Sequence, residues 1–165
     1  FNVTYTPEDQ EHYEISTGIE VKIKIIKIND YISKDGEDRY IERISPGTTV
    51  KQIKENIQIN DGTVEINVYR DGTKIEETEK VVTGMNVKIT VDSKEFTYQI
   101  AVTGDIYADG QVDGRDLLKL ARYLVGLDTE KMTKIALKAT DVHIDGLYAD
   151  SADLLKLSRL LIGLD

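Results

Sequence analysis

Apolar and polar residues alternate over Ile19-Glu-Val-Lys-Ile-Lys-Ile, which places Ile19, Val21, Ile23 and Ile25 on one face and Glu20, Lys22 and Lys24 on the other. This is the strongest strand pattern in the chain. The adjacent Ile25 and Ile26 break its period, and a bulge there would bring Ile26 and Ile28 into one row. Phe1–Tyr5, Tyr40–Ile44, Val64–Val68, Val87–Val91 and Phe96–Ile100, which runs on to Val102, also read as strands. Turn signals stand between them at Asn29-Asp30, Ser33–Asp38, Asn60-Asp61-Gly62 and Asp92-Ser93-Lys94, and Arg70-Asp71-Gly72-Thr73 is a hairpin signature. The period changes at one place. Thr48 or Thr49 can cap a short helix over Val50–Asn56, with Val50, Ile53 and Ile57 spaced by three and four. Lys74–Lys80 reads as an exposed return arm. Residues 1–101 are therefore expected to form a mainly-β module with one helix and a sheet with one wet face. An α+β unit and an immunoglobulin-like sandwich both satisfy this pattern.

Beyond residue 102 the period becomes helical. Leu117, Leu120, Tyr123 and Leu124 fall on one stripe of a helix over Asp116–Val125, and Gly126 suits its C-terminal cap. A connecting helix is expected over Asp128–Ala139, opened by an acidic run, with Ile135 and Ala139 packing inward. The first helix is then written again. Asp116–Asp128 and Asp153–Asp165 are identical at ten of 13 positions, at an offset of 37. Such repeats mark units that are stable when packed on one another, so the leucines are expected to form a core between the two helices. Residues 102–165 thus read as a small all-α domain.

Each repeated helix follows an acidic loop. In the first, Asp105, Asp109, Asp113 and Asp116 stand at positions one, five, nine and 12, with Gly110 at six. This is close to the calcium loop of an EF-hand, in which the glycine allows the sharp turn and a backbone carbonyl, here that of Gln111, adds a ligand near position seven. Calcium is a hard ion that takes six to eight oxygens, and these residues supply oxygens. Tyr107 replaces the usual acidic or amide residue at position three. In the second loop Asp141, Asp145 and Gly146 take positions one, five and six, but Asp153 comes one residue late. A bulge at Leu147–Ala149 would return Asp150 and Asp153 to the places of Asp113 and Asp116. Position three is His143, a poor ligand for calcium, so one ion is expected in the first loop and a second less firmly. The plainer reading of each loop is a turn followed by a helix cap, with Asp116 and Asp153 as the caps.

The segment resembles the dockerin family, whose duplicated pattern is Gly-Asp-x-x-x-Asp-Gly-x-x-x-x-x-Asp-Leu-x-x-Leu-x-x-Tyr-Leu-x-Gly. Gly104-Asp105, Asp109-Gly110, Asp116-Leu117, Leu120, Tyr123-Leu124 and Gly126 stand at its places. In the second copy Asp141, Asp145-Gly146, Asp153-Leu154, Leu157, Leu161 and Gly163 do so. The position-three residues and the longer second loop make it a divergent member. The resemblance implies a non-catalytic, calcium-dependent plug that binds a cohesin module of a scaffoldin or surface protein, as in cellulosomes. It implies partner contacts at Gly114 and Arg115, at the matching Ser151 and Ala152, and at the helix residues Lys119, Arg122, Lys156 and Arg159. Because the first two pairs differ in chemistry, a dual binding orientation is weakened. Ile44–Val50, the Asp-Gly hairpin and the run Tyr98-x-Ile-x-Val-x-Gly-Asp105 also resemble modules that precede dockerins in some secreted clostridial proteins. With almost no linker before Gly104, the two parts are expected to pack rigidly.

Composition narrows the alternatives. The chain has 165 residues, 40% of them hydrophobic and 31% charged, a folded composition. Its net charge of -9 argues against nucleic acid, which needs basic residues against phosphate. There is no cysteine, so calcium and module packing would have to supply what disulfides give other secreted proteins. No apolar run approaches membrane length. The start at Phe1, without a signal peptide, suggests a part of a larger secreted protein, placing it outside the cell or at its surface. An enzyme is not expected: Asp113 and Asp116 are explained better as loop ligands than as a catalytic carboxylate pair, and His12 and His143 have no nucleophile near them in sequence. The competing readings are a calcium-stabilised structural or sensor module without a cohesin, and a fragment of a glycoside hydrolase whose catalytic residues lie elsewhere.

Overall fold

The computed structural model describes residues 32–35, 37–57, 63–127 and 132–164. The strands expected at Phe1–Tyr5 and Ile19–Ile28, and the turns at Asn29-Asp30 and Asn60-Asp61-Gly62, lie outside the described residues.

The first module contains β1 (Ile32–Asp35), β2 (Asp38–Ile44), α1 (Val50–Asn56), β3 (Val64–Arg70), β4 (Thr73–Lys74), β5 (Asn86–Val91) and β6 (Lys94–Val102). Among the described residues the strands form one six-stranded sheet in the order β1-β2-β6-β5-β3-β4. Only β2 and β6 run parallel, and the other neighbours are antiparallel. Among the described residues, one sheet with one helix is the arrangement of the α+β alternative. The Asp71-Gly72 hairpin forms as the dipeptide predicts, with Arg70 opposite Thr73. Ser33–Asp38, in contrast, is not all turn: Ser33 to Asp35 pair with β2, with Asp35 opposite Asp38.

Helix α1 starts at Thr49, whose hydroxyl accepts from the Gln52 N–H while the Gln52 side chain accepts from the Thr49 N–H. Val50 and Ile53 turn from there into the core with Ile41, Ile44, Val68, Val87, Ile89, Val91, Ile100 and Val102. On β5 the alternation is clean, with Val87, Ile89 and Val91 buried and Asn86, Lys88 and Thr90 half-buried on the wetter face. Over β2 and β6 the second face is dry. Tyr40, Glu42 and Ala101 are all buried there, because a helix of the C-terminal domain covers them.

That domain holds α2 (Gly114–Leu124), α3 (Lys134–Ala139) and α4 (Ser151–Leu161). The two repeat helices pack together, and Leu120 and Leu157, both fully buried, centre a second core with Ile106, Ala136, Val142 and Ala149. Burying each of these leucines contributes about 1.5–3 kcal/mol. The connecting helix is shorter than its pattern predicts: α3 begins after Thr133, whose hydroxyl accepts from the Ala136 N–H, and residues 128–131 lie outside the described set. Its buried residues are Ala136 and Ala139, with Ile135 only half-buried. Small alanines let α3 lie close against β6 and β2. The chain passes between modules without a free linker, since the Thr103 N–H donates to the Ile44 carbonyl at 2.8 Å and the Gly104 N–H to the Ala139 carbonyl at 2.8 Å.

Candidate functional site: the paired acidic loops

The two loops repeat most of each other's hydrogen bonds, although the Ile106 N–H to Asp116 bond of the first has no counterpart in the second. In the first, Asp105 Oδ1 accepts from the Asp109 and Gly110 N–H groups at 3.0 and 3.2 Å. In the second, Asp141 Oδ1 accepts from the Asp145 and Gly146 N–H groups at 3.1 and 3.3 Å. Asp116 accepts from Tyr107 on Oδ1 and from Asp113 on Oδ2, both at 2.9 Å, and Asp153 accepts from His143 and Asp150 in the same way at 3.0 and 3.1 Å. Asp109 and Asp145 each accept from the N–H two residues on. The additional residue of the second loop is absorbed at Ala149, which is left-handed with φ 55° and buried, and Asp150 falls where Asp113 falls in the first.

The helix caps differ from the plainer sequence reading. Asp113 and Asp150 are the N-caps, while Asp116 and Asp153 stand three residues in and accept from the cap residue's own N–H, closing a capping box in each copy. The backbone at Asp113 and Asp150 is extended just where the helix begins, so their carboxylates reach the free amides of the first turn.

Among the described residues, no three carboxylate or imidazole side chains stand together in an arrangement that could hold a metal ion. The carboxylates point instead at backbone amides of their own loops. The donor chemistry of the first loop nevertheless suits a hard cation. Asp105 and Asp116 are buried, at 0% and 1% exposure, and both carry charge into the interior. Burial pushes the Asp116 carboxyl above its ordinary range, three backbone amides pull it back, and the charge of Asp105 pushes it up again. A divalent ion would relieve both buried charges. At the rim, Arg115 pairs with Asp109 at 2.8 Å and with Asp113 at 2.9 Å, and holds the Asp113 carboxyl below its ordinary range. In the second loop burial likewise pushes Asp153 up, with Asp150 and Asp141 adding to it.

Both position-one aspartates are also held by the first module. Asp105 Oδ2 accepts from the Thr83 N–H at 3.0 Å, and Asp141 Oδ2 accepts from the Arg43 guanidinium. Beside them Glu42, 1% exposed, accepts from Lys138 Nζ at 2.7 Å, from the Tyr148 hydroxyl at 2.8 Å and from the Ser33 hydroxyl. Sequence reasoning missed these contacts. Nothing local signalled them, since Glu42 alternates with the inward-facing Ile41 as a solvated residue would.

The expected partner residues are placed as follows. Gly114 and Ser151 open α2 and α4 and are exposed, and Ala152 is half-buried. Arg115 is exposed but tied to the loop. Lys119 is half-buried, folded over the first loop with its Nζ 4.4 Å from the Tyr107 ring centre and 3.2 Å from the Ile106 carbonyl. Arg122 is exposed, and Arg159 donates to the Leu164 carbonyl at 3.2 Å. Lys156 and Arg159 line a shallow depression with His143, Ala152 and Leu155. Tyr123, expected on the core stripe, is 36% exposed instead. The larger omission from the expected surface is apolar. Leu118 and Leu155, at 59% and 62% exposure, occupy equivalent places in the two copies, as do the exposed Val125 and Ile162. Leu118 lies one residue off the Leu117–Leu120–Leu124 stripe and recurs in both copies, which was the signal for it.

No helix among the described residues is long and apolar enough to cross a membrane. Comparison of the chain with curated proteins and with solved structures finds no significant match. A family model does match, that of the dockerin type I domain, over residues 103–162. It spans both loops and all three helices of the C-terminal core. Dockerin domains are non-catalytic modules that generally bind calcium and whose role is calcium-dependent attachment to a cohesin. Residues 103–162 of this chain are a dockerin type I domain, joined to an N-terminal β-rich region.

Proposed function

We propose that this chain is a two-module docking unit, residues 1–101 serving as a stabilising module and 102–165 as the plug that anchors a secreted protein to a cohesin-bearing scaffold or cell surface. The first loop binds calcium through Asp105, Asp109, Asp113, Asp116 and the Gln111 carbonyl. The exposed face of α2 and α4, with Leu118 and Leu155 at its centre and Gly114, Arg115, Lys119, Arg122, Ser151, Ala152, Lys156 and Arg159 around it, meets the cohesin. The observation that carries this reading is the pair of exposed leucines at equivalent places. Two large apolar side chains left in water on the rigid helices of a packed core suit a protein partner, and the surrounding basic residues would set orientation. A groove between the helices, lined by Leu117, Ala121, Ser151, Leu154, Leu155 and Ser158, continues that apolar surface. The parent's chemistry, expected to be polysaccharide degradation, would lie outside this chain.

The test is titration of the purified chain against a panel of cohesin modules, in calcium and in chelator. Binding to at least one cohesin that chelator abolishes is the expected result. A chain that is folded and calcium-loaded yet binds none of them would favour a calcium-stabilised structural module.

A further inference from the structure

The two loops share most of their internal bonds, and they differ in what reaches the outer oxygen of position one. At Asp105 it is a neutral backbone amide, which takes one lone pair of Oδ2. At Asp141 it is a guanidinium: Arg43 Nε donates to Oδ2 at 3.2 Å, and a terminal nitrogen stands 3.1 Å from the same oxygen. Both side chains are withdrawn from water, Arg43 at 10% exposure and Asp141 at 1%. Arg43 also closes over the loop glycine, since a Cβ built on Gly146 would stand 3.9 Å from its terminal nitrogen.

The backbone that delivers Arg43 is unusual. Its φ is 59°, left-handed for a residue with a long side chain, and it sits where the register of β2 against β6 shifts between Ile41 and Ile44. Bulges of this kind re-aim one side chain out of the strand's alternation, and a left-handed non-glycine residue persists only where its surroundings hold it. Here the bulge turns a strand residue of one module into the acidic loop of the other.

We propose that the Arg43 guanidinium is the resident cation of the second loop, and that this loop is a clasp between the modules rather than a calcium site. The donor set agrees. Position three is the exposed His143, whose imidazole is a nitrogen ligand ill-suited to calcium. The oxygen that position one would turn to an ion carries two charged donors, and an ion ligated there would stand against a buried positive charge. The first loop, without a guanidinium on its position-one oxygen, keeps that oxygen's second lone pair.

The proposal rests on reading the loops as cation loops, and its test separates the two. Calcium stoichiometry is measured on the full chain and on Asp145→Ala and Asp109→Ala. Thermal unfolding in chelator is measured for Arg43→Met, Asp141→Asn and the double variant. Arg43→Met should lower the melting temperature by roughly 6–20 °C, the range for breaking one partner out of a buried ion pair in a chain of this size. The double variant should melt no lower than the worse single one. Asp145→Ala should leave the bound calcium unchanged. Additive losses from the two single changes, or a bound ion lost on Asp145→Ala, would overturn the clasp. If Arg43→Met does not fold, Arg43→Lys, which keeps the charge but not the fork, replaces it in the cycle with a smaller drop and the same non-additivity. A chain that binds no calcium at all would sink the reading of the first loop, while the melting cycle still decides the clasp.

Discussion

Gly110 carries two constraints that act on one atom. Its φ is +86°, a region that costs an L-residue about 1 kcal/mol or more, and a Cβ there would meet Val82 Cγ2 at 2.9 Å. The first constraint is local to the loop. The second comes from the other module, since Val82 belongs to the core of the β-rich region. Gly110→Ala should therefore destabilise the chain by roughly 2–4 kcal/mol, combining left-handed strain with overpacking. Val82→Ala placed in the Gly110→Ala background should recover only the packing share. If Gly110→Ala melts with the wild type, the loop does not hold this backbone in solution. Asp116 gives a second test at the same scale. An asparagine keeps an oxygen for the Ile106 and Tyr107 amides and gives up the bond from the Asp113 N–H, but it also removes a buried charge that its surroundings disfavour, which offsets that loss. Asp116→Asn should thus melt within a few degrees of wild type in chelator but lose the rise in melting temperature that calcium gives, which would be about 2.7 kcal/mol in stability at a hundredfold excess over the dissociation constant. A variant that keeps the full calcium increment would remove Asp116 from the ligand set.

At the scale of elements, α2 and α4 are one design used twice, and their two faces answer to different solvents. Leu120 and Leu157 are buried, whereas Leu118 and Leu155, two residues earlier and about 200° around the helix, face water. Replacing Leu118 and Leu155 together by Glu should leave the melting temperature nearly unchanged, as exposed substitutions do, and reduce cohesin affinity at least a hundredfold. Each single change tests the dual mode. If either helix can lead, one replacement leaves binding within a few-fold of wild type, whereas a single orientation loses most of its affinity with one particular leucine. An unaltered double variant would move the docking surface off these helices.

Much of this element level was legible in sequence because its causes are local. The Val50–Asn56 helix and its threonine cap, the Asp-Gly hairpin, the β5 and β6 alternation and the duplicated loops all follow from residues a few positions apart. What was not legible depends on partners far along the chain. Tyr40 and Glu42 alternate with Ile41 as a wet face would, and only α3, arriving about a hundred residues later, dries them. Arg43 reads as one more surface cation until the bulge turns it toward Asp141. The helix caps were placed three residues late for a related reason. Asp113 and Asp116 can both cap in principle, and only the loop's path decides which reaches the amides first.

For the whole molecule, the consequence is that the two modules share an interior of charges. Glu42 is surrounded by Lys138, Tyr148 and Ser33, and Lys138 also lies 4.6 Å from the Tyr40 ring centre and 4.7 Å from that of Tyr148. Burial alone would make Lys138 give up its proton more readily, but the hydrogen bonds and charges of Glu42 and Tyr148 outweigh it and hold the ammonium above the ordinary lysine value. Burial acts the other way on the Tyr148 hydroxyl and raises it, with Glu42 adding to the effect. Both groups therefore hold their protons more tightly when folded. Their contribution is fully present below about pH 10, near the ordinary tyrosine and lysine values of 10.0 and 10.5, and is lost as pH rises through the higher folded values. Stability measured from pH 8 to 12 should fall on the alkaline side with a slope that Lys138→Met flattens. At neutral pH that variant, which strands Glu42 without its cation, should be less stable by about 3–5 kcal/mol. Glu42→Gln with Lys138→Met should restore part of this loss, because no unpaired charge then remains inside. An alkaline limb that Lys138→Met leaves unchanged would mean that the two modules are not held together by this cluster, and that the backbone bonds at Thr103 and Gly104, with the alanine face of α3, carry the interface alone.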